Sequence, residues 1–316
     1  MNFKDVLIRP QITNIESRSQ VNPYTKHAHY YGLPVIVSNL DTTGTITMSR
    51  VVSKHKIYTA LHKYYNVSNI INYIDECQDP KIFITIGMNH DFSFLSEIRS
   101  KTAKDILINI DVSNGYMKKF HNFISEIRNN FPDSFIMAGN VCTYDGAMAI
   151  ASAGADIVKC GWGSGGLCLS SSVTGVGNNQ LNAIFECSEI KKIYPNKLIC
   201  SDGGVKEVGD ICKALGAGAD LVMCGSLFLG YEESIESAVD QNGMMWAYGM
   251  SSERANNTYN GGLKNYRAAE GKEIQIKVKK GLDKLCQQIE GGIRSCLSIT
   301  NHLDIKDFIG NADFNE

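Results

Sequence analysis

The chain has 316 residues, 43% of them hydrophobic, and a formal net charge of −2. That length suits one large α/β barrel or two ordinary domains, and the apolar content excludes global disorder. The balanced charge, with no long basic or acidic run, argues against a nucleic-acid or membrane-surface partner, and no apolar run approaches the roughly 18 residues of a membrane helix.

Short apolar runs recur along the chain at intervals that leave room for one helix each. The first four are Pro34-Val35-Ile36-Val37, Ile57-Tyr58-Thr59-Ala60-Leu61, Ile82-Phe83-Ile84-Thr85-Ile86 and Ile106-Leu107-Ile108-Asn109-Ile110. Phe135-Ile136-Met137-Ala138, Ile157-Val158, Leu198-Ile199-Cys200 and Leu221-Val222-Met223 follow. Amphipathic stretches such as 117–129 and 145–152 lie between them. Buried strands alternating with helices predict a (β/α)8, or TIM, barrel in a single domain over 1–316. A doubly wound sheet is the alternative, but no GxGxxG opens the first helix. Beyond residue 231 the alternation stops. Residues 243–271 are rich in Gly, Asn, Ser and Tyr and read as a long active-site flap, since loops of that length are usually functional. Residues 282–299 read as the last barrel helix, interrupted at Gly291-Gly292.

In such barrels the ligand site forms at the C-terminal ends of the strands, and phosphate is commonly held after strands seven and eight. Those loops are Ser201-Asp202-Gly203-Gly204 and Cys224-Gly225-Ser226, whose glycine N–H groups and serine hydroxyl suit a phosphate. After strand six comes Gly163-Ser164-Gly165-Gly166-Leu167-Cys168, a thiol behind a flexible loop. Held there, Cys168 can be a nucleophile or a small buried residue. The other cysteines are scattered without a CxxC pair, which predicts reduced thiols in a cytoplasmic protein and no zinc site. The opening Met1-Asn2-Phe3-Lys4-Asp5 lacks the plan of a signal peptide.

Several segments, in order, resemble the IMP dehydrogenase/GMP reductase family. They are Phe3-Lys4-Asp5-Val6-Leu7-Ile8-Arg9-Pro10, Asn39-Leu40-Asp41-Thr42, Ala138-Gly139-Asn140-Val141 and the cysteine loop ending in Thr174-Gly175-Val176-Gly177. Ser201-Asp202-Gly203-Gly204 and Tyr248-Gly249-Met250-Ser251-Ser252 complete the set. Tyr266-Arg267-Ala268-Ala269-Glu270-Gly271-Lys272 is similar to the reductase branch. The dehydrogenase branch would carry a longer flap with an Arg-Tyr pair, absent between Ser252 and Glu270. The resemblance thus implies NADPH-dependent reductive deamination of GMP to IMP by a homotetramer. An IMP dehydrogenase and a purine-nucleotide-binding homologue with impaired chemistry are the alternatives.

The resemblance also implies roles. Cys168 would attack C2 of the purine, with Ser170 and Glu270 moving protons. Asp202 would bind the ribose, and Gly203, Gly204, Gly225, Ser226 and Tyr248 the phosphate. Gly249, Met250, Ser251, Arg267, Ala268, Ala269 and Gly271 would frame the base. NADPH would meet Ser17, Arg18, Lys63, Asp111, Val112, Ser113, Trp162, Gly163, Met250, Tyr266 and Arg267, together with Ser295, Cys296, Leu297 and Ser298. A potassium ion would sit at Gly163, Gly165, Cys168 and Ser171. The chain departs from the usual Cys-Thr-Thr-Arg loop, reading Cys168-Leu169-Ser170-Ser171, and Ser164 replaces a common proline. These departures bear on the cation site and on the rigidity of the loop.

Overall fold

The computed structural model describes residues 1–90, 92–102, 106–235 and 239–315. Its centre is a closed barrel of eight strands: β1 (Val35–Val37), β2 (Tyr58–Leu61), β3 (Ile82–Ile86), β4 (Leu107–Asp111), β5 (Phe135–Val141), β6 (Ile157–Cys160), β7 (Leu198–Asp202) and β8 (Leu221–Cys224). Each strand pairs in parallel with the next, and β8 closes on β1 through Val222 opposite Val35. A helix follows every strand, from Ile46–Val52 after β1 to Leu282–Ile299 after β8. This is the TIM barrel that the recurrent apolar runs predict.

The strands read as unbroken apolar runs because both faces are buried. Within β1, Ile36 packs inside the barrel while Val35 and Val37 pack against the helices. Phe83, Met137, Ile157 and Leu221 fill the interior with it. Burying a side chain such as Phe83 contributes roughly 1.5–3 kcal/mol. A hairpin, Thr25–His27 with Tyr30–Gly32, closes the end of the barrel from which the strands start. Tyr30 enters the inner core and stacks on Tyr58, ring centroids 4.0 Å apart. With one end plugged, the opposite end is left for ligands.

Two expectations are corrected. Residues 243–271 are not one long loop. Strand β9 (Met244–Tyr248) pairs antiparallel with β10 (Glu273–Lys277), and a helix spans Glu253–Tyr259. The last helix also runs unbroken through Gly291-Gly292. A Cβ on Gly292 would lie 2.4 Å from Val208 Cγ1, so this glycine permits close helix packing rather than ending the helix. Among the described residues no helix is long and apolar enough to cross a membrane.

Candidate active site

The C-terminal ends of the strands open into a cavity of about 220 Å³. Asp111 from β4 and Asp202 from β7 face it, with Gly203 and Gly204. Gly225 and Ser226 follow β8, and Ser38, Asn39 and Leu40 follow β1. The loop after β6 brings Gly165, Cys168 and Ser170; the flap brings Gly249, Met250, Ser251 and Glu270. A thiol, four hydroxyls and three carboxyl groups therefore share one cleft.

The cysteine loop and the flap are joined through their backbones. Leu169 N–H donates to the Glu270 carbonyl at 2.7 Å, and Lys272 N–H to the Leu167 carbonyl at 2.9 Å. Cys168 and Gly271 form an antiparallel bridge between these bonds. Glu270 N–H in turn donates to the Ser251 carbonyl at 3.0 Å. The approach is close enough to need glycine: a Cβ on Gly271 would sit 2.6 Å from Ser252 N, and one on Gly249 2.7 Å from the Leu167 carbonyl oxygen. The Cys168 thiol donates to Ser170 Oγ at 3.4 Å. Cys168 is half-buried, whereas Cys160, Cys200 and Cys224 are fully buried, and burial pushes their thiols up, away from the reactive thiolate. All ten cysteines are free.

Asp41 anchors the flap to the barrel. Its Oδ2 accepts from the Tyr248 hydroxyl at 2.6 Å and from the Tyr259 hydroxyl at 2.7 Å. Burial, then the Asp41 carboxylate, holds both phenols far above the usual tyrosine range, so they remain donors at neutral pH. These tyrosines bracket Gly249-Met250-Ser251. Tyr259 also stacks on Tyr64, ring centroids 3.5 Å apart. Burial and the charges of Asp41 and Asp111 push the Tyr64 phenol up to about 12.

The model of the IMP dehydrogenase/GMP reductase domain matches residues 1–316. The chain belongs to this family. It is 38% identical to a GMP reductase of Photobacterium profundum over 326 residues, covering 99% of this chain and 94% of the relative. It is 37% identical to a GMP reductase of Onchocerca volvulus over 328 residues, covering 99% and 90%. With GMP reductase 2 of Bos taurus the identity is 37% over 306 residues, covering 93% and 88%.

The structure brings the proposed catalytic residues and most of the substrate loops to the cavity, but few of the other residues that the sequence reading singles out. Tyr248 does not line the cavity, because its hydroxyl is turned to Asp41. Arg267 and Ala268 lie exposed beyond Glu270, Ala269 is half-buried, and Tyr266 is 86% exposed. Gly271 supports the cavity from behind through its bridge to Cys168. Val112 and Ser113 follow Asp111 at the end of β4, and Val112 N–H donates to the Gly139 carbonyl. The Lys63 carbonyl accepts from His90 Nε2 at 3.1 Å, and its ammonium lies 5.6 Å from the Tyr64 ring centroid. Trp162 packs on Tyr116, with its buried indole N–H unpartnered among the described residues. Ser17 and Arg18 form a second group with the last helix, where Arg294 donates to the Arg18 carbonyl at 3.4 Å. Ser295 and Ser298 donate to carbonyls of that same helix, and Leu297 is buried.

The altered cysteine loop has its own braces. Ser171 Oγ donates to the Gly163 carbonyl at 3.1 Å, and Ser164 Oγ to Gln180 Oε1 at 2.6 Å. Gln180, almost fully buried, donates onward to the Cys160 carbonyl and to Ser201 Oγ. Serines standing where arginine and proline are usual thus hold the loop by hydrogen bonds. The same bonds bear on the expected potassium site. The Gly163 carbonyl is taken by Ser171, and the Gly165 carbonyl by Cys168 N–H at 3.0 Å. Each of these carbonyls thus has one of its two lone pairs engaged in holding the loop.

Gln180, Lys159, Asp41 and Tyr259 carry no role in the sequence reading. Lys159 offered a signal, a lysine within the apolar run Ile157-Val158-Lys159-Cys160. Asp41 and Tyr259 offered none, since 218 residues separate them.

Proposed function

We propose that this protein reduces GMP to IMP with release of ammonia at the expense of NADPH, and so interconverts purine nucleotides. The observation that carries this reading is the meeting of Cys168, Ser170 and Glu270 in one cavity with the loops after β7 and β8. GMP + NADPH + 2H⁺ then gives IMP + NADP⁺ + NH₄⁺. The Cys168 sulfur bonds to C2 of the purine as its proton passes to Ser170 Oγ, its hydrogen-bond partner, and the Ser170 hydroxyl hands its own proton on to the Glu270 carboxylate. The C2 amino group takes a proton from the Glu270 carboxyl, directly or through Ser170, and leaves as ammonia. Cys168 holds the remaining thioimidate until the C–S bond breaks and the thiol is regenerated. NADPH, when bound, supplies the hydride that C2 gains.

Asp202 receives the ribose hydroxyls, and Gly203, Gly204, Gly225 and Ser226 the phosphate. Tyr248 contributes through the flap anchor, its hydroxyl being engaged with Asp41. The unpartnered Trp162 indole N–H and the cavity-facing Asp111 support a polar cofactor beside the nucleotide. Lys63, Val112, Ser113 and Met250 would hold it near the cavity. Ser17, Arg18 and residues 295–298 form their separate group beside the last helix, and the homotetramer is carried by the family resemblance alone.

The deciding assay is NADPH oxidation in the presence of GMP, with IMP and ammonia as products. Tight GMP binding without turnover would leave only a nucleotide-binding protein. Rapid NAD-dependent oxidation of IMP to XMP would place the chain in the dehydrogenase branch. Lys63→Ala should raise KM for NADPH about tenfold or more and leave KM for NADH within about twofold, because a lysine reads the 2′-phosphate as a point charge. Equal losses for both cofactors would remove Lys63 from that phosphate.

A further inference from the structure

Lys159 lies in β6, fully buried, in a strand whose residue Ile157 belongs to the interior of the barrel. Its ammonium bonds to Asp111 at the end of β4 and lies 3.4 Å from Asp202 Oδ2 at the end of β7. Asn140 Nδ2, from β5, donates to the same Oδ2 at 2.8 Å. Both carboxylates line the cavity, and Lys159 does not. A lysine alone at this depth would shed its proton. Burial pushes its pKa down, yet Asp111 and Asp202 together outweigh that and hold it firmly charged. This cluster therefore joins one cation and two anions drawn from β4, β6 and β7, of which only β6 and β7 are neighbours.

That geometry has a directional consequence. Lysine and asparagine converge on one oxygen of Asp202, which leaves Oδ1 to accept from a ligand. An aspartate with several accessible rotamers would have to be ordered on binding, at an entropic cost; this one is ordered beforehand. Removing the ammonium would also leave two carboxylates facing the same low-dielectric cleft, where each would repel the other.

We infer that Lys159 is a positioning residue: it fixes Asp202 to read the ribose of a purine ribonucleotide and ties that carboxylate to Asp111 across the pocket floor. The inference rests on the proposed function for the identity of the ligand, and on the structure for the arrangement of charges. It predicts that ribose recognition, rather than overall nucleotide affinity, depends on Lys159.

The test is calorimetric binding of GMP and 2′-deoxyguanosine monophosphate to the full-length protein and to Lys159→Met. The parent should prefer the ribonucleotide about tenfold or more, as expected for a hydroxyl donating to a charged acceptor. In Lys159→Met the preference should fall to about twofold or less. The deoxynucleotide, held by phosphate and base, should bind the variant within about fivefold of the parent. A role in packing alone would weaken both nucleotides alike and keep their ratio; that result overturns the inference and leaves the proposed function standing. A parent that binds GMP with no ribose preference overturns the inference together with the ribose role of Asp202. A parent that binds neither nucleotide overturns the proposed function as well. If Lys159→Met does not fold, Lys159→Met/Asp111→Asn, which restores the net charge, is read by the same ratio. A GMP-bound structure of the parent in which Lys159 has left Asp202 also overturns the inference.

Discussion

Replacing Cys168 by alanine should abolish GMP-dependent NADPH oxidation, lowering kcat by about three orders of magnitude or more, while GMP still binds within about fivefold of the parent. The split follows from where the groups sit. The proposed phosphate and ribose contacts belong to Gly203, Gly204, Gly225, Ser226 and Asp202, at the end of β7 and on the loops after β7 and β8, and none involves the sulfur. Without the thiol there is no covalent intermediate, and hydride would have to reach a carbon that still carries its amine. The neighbouring thiols offer no substitute, since Cys160, Cys200 and Cys224 are fully buried within the barrel strands. Steady-state kinetics and calorimetry on the same preparation measure both halves of the prediction. A variant that keeps most of its activity would sink the covalent mechanism. One that loses GMP binding in proportion to turnover would make Cys168 a binding residue.

Glu270→Gln should lower kcat by about 10²–10⁴-fold, the usual span for a lost general acid. The KM for GMP should stay within a few fold. The substitution is nearly isosteric, and the two backbone bonds of residue 270, one from Leu169 N–H and one to the Ser251 carbonyl, do not involve the side chain. The cysteine loop should therefore keep its shape, and only the proton is removed. Profiles of kcat against pH provide the control. The parent should show a limb, belonging to the reacting pair, that the variant lacks. A change confined to KM would make Glu270 a contact to the base rather than a proton donor.

The barrel was plain in the sequence because strands buried on both faces leave compact apolar runs, and the chain has eight of them in series. The hairpin at residues 25–32 was not. Thr25-Lys26-His27 and Tyr30-Tyr31-Gly32 are too short and polar to signal strands. They are held by what Tyr30 does inside the barrel, a tertiary effect. The ribbon of β9 and β10 was hidden for a different reason. Glu273-Ile274-Gln275-Ile276-Lys277 alternates as a strand should, but its partner lies across a segment rich in glycine and asparagine. Gly291-Gly292 looked like a helix break because glycine favours coil; the contact with Val208 outweighs that preference.

The site divides along the same line. Cys168, Asp202 and the glycines of the cavity announce themselves because each sits in a compact local motif. The union of Asp111, Lys159 and Asp202 depends on which residues of three strands point inward at one level. That is a matter of barrel register, which no local pattern encodes. The pairing of Asp41 with Tyr248 and Tyr259 likewise exists only once the flap has folded onto β1.

The short bridge between Cys168 and Gly271 makes a division of labour inside one stretch of chain. The part of the flap that carries Glu270 is sewn to the cysteine loop and cannot swing away without dismantling it. Any movement of the flap must fall outside that seam, for instance in the exposed stretch at residues 264–268. Insertions and deletions there leave the spacing of thiol and carboxylate unchanged. Evolution can therefore vary the outer flap of this enzyme without re-tuning its chemistry.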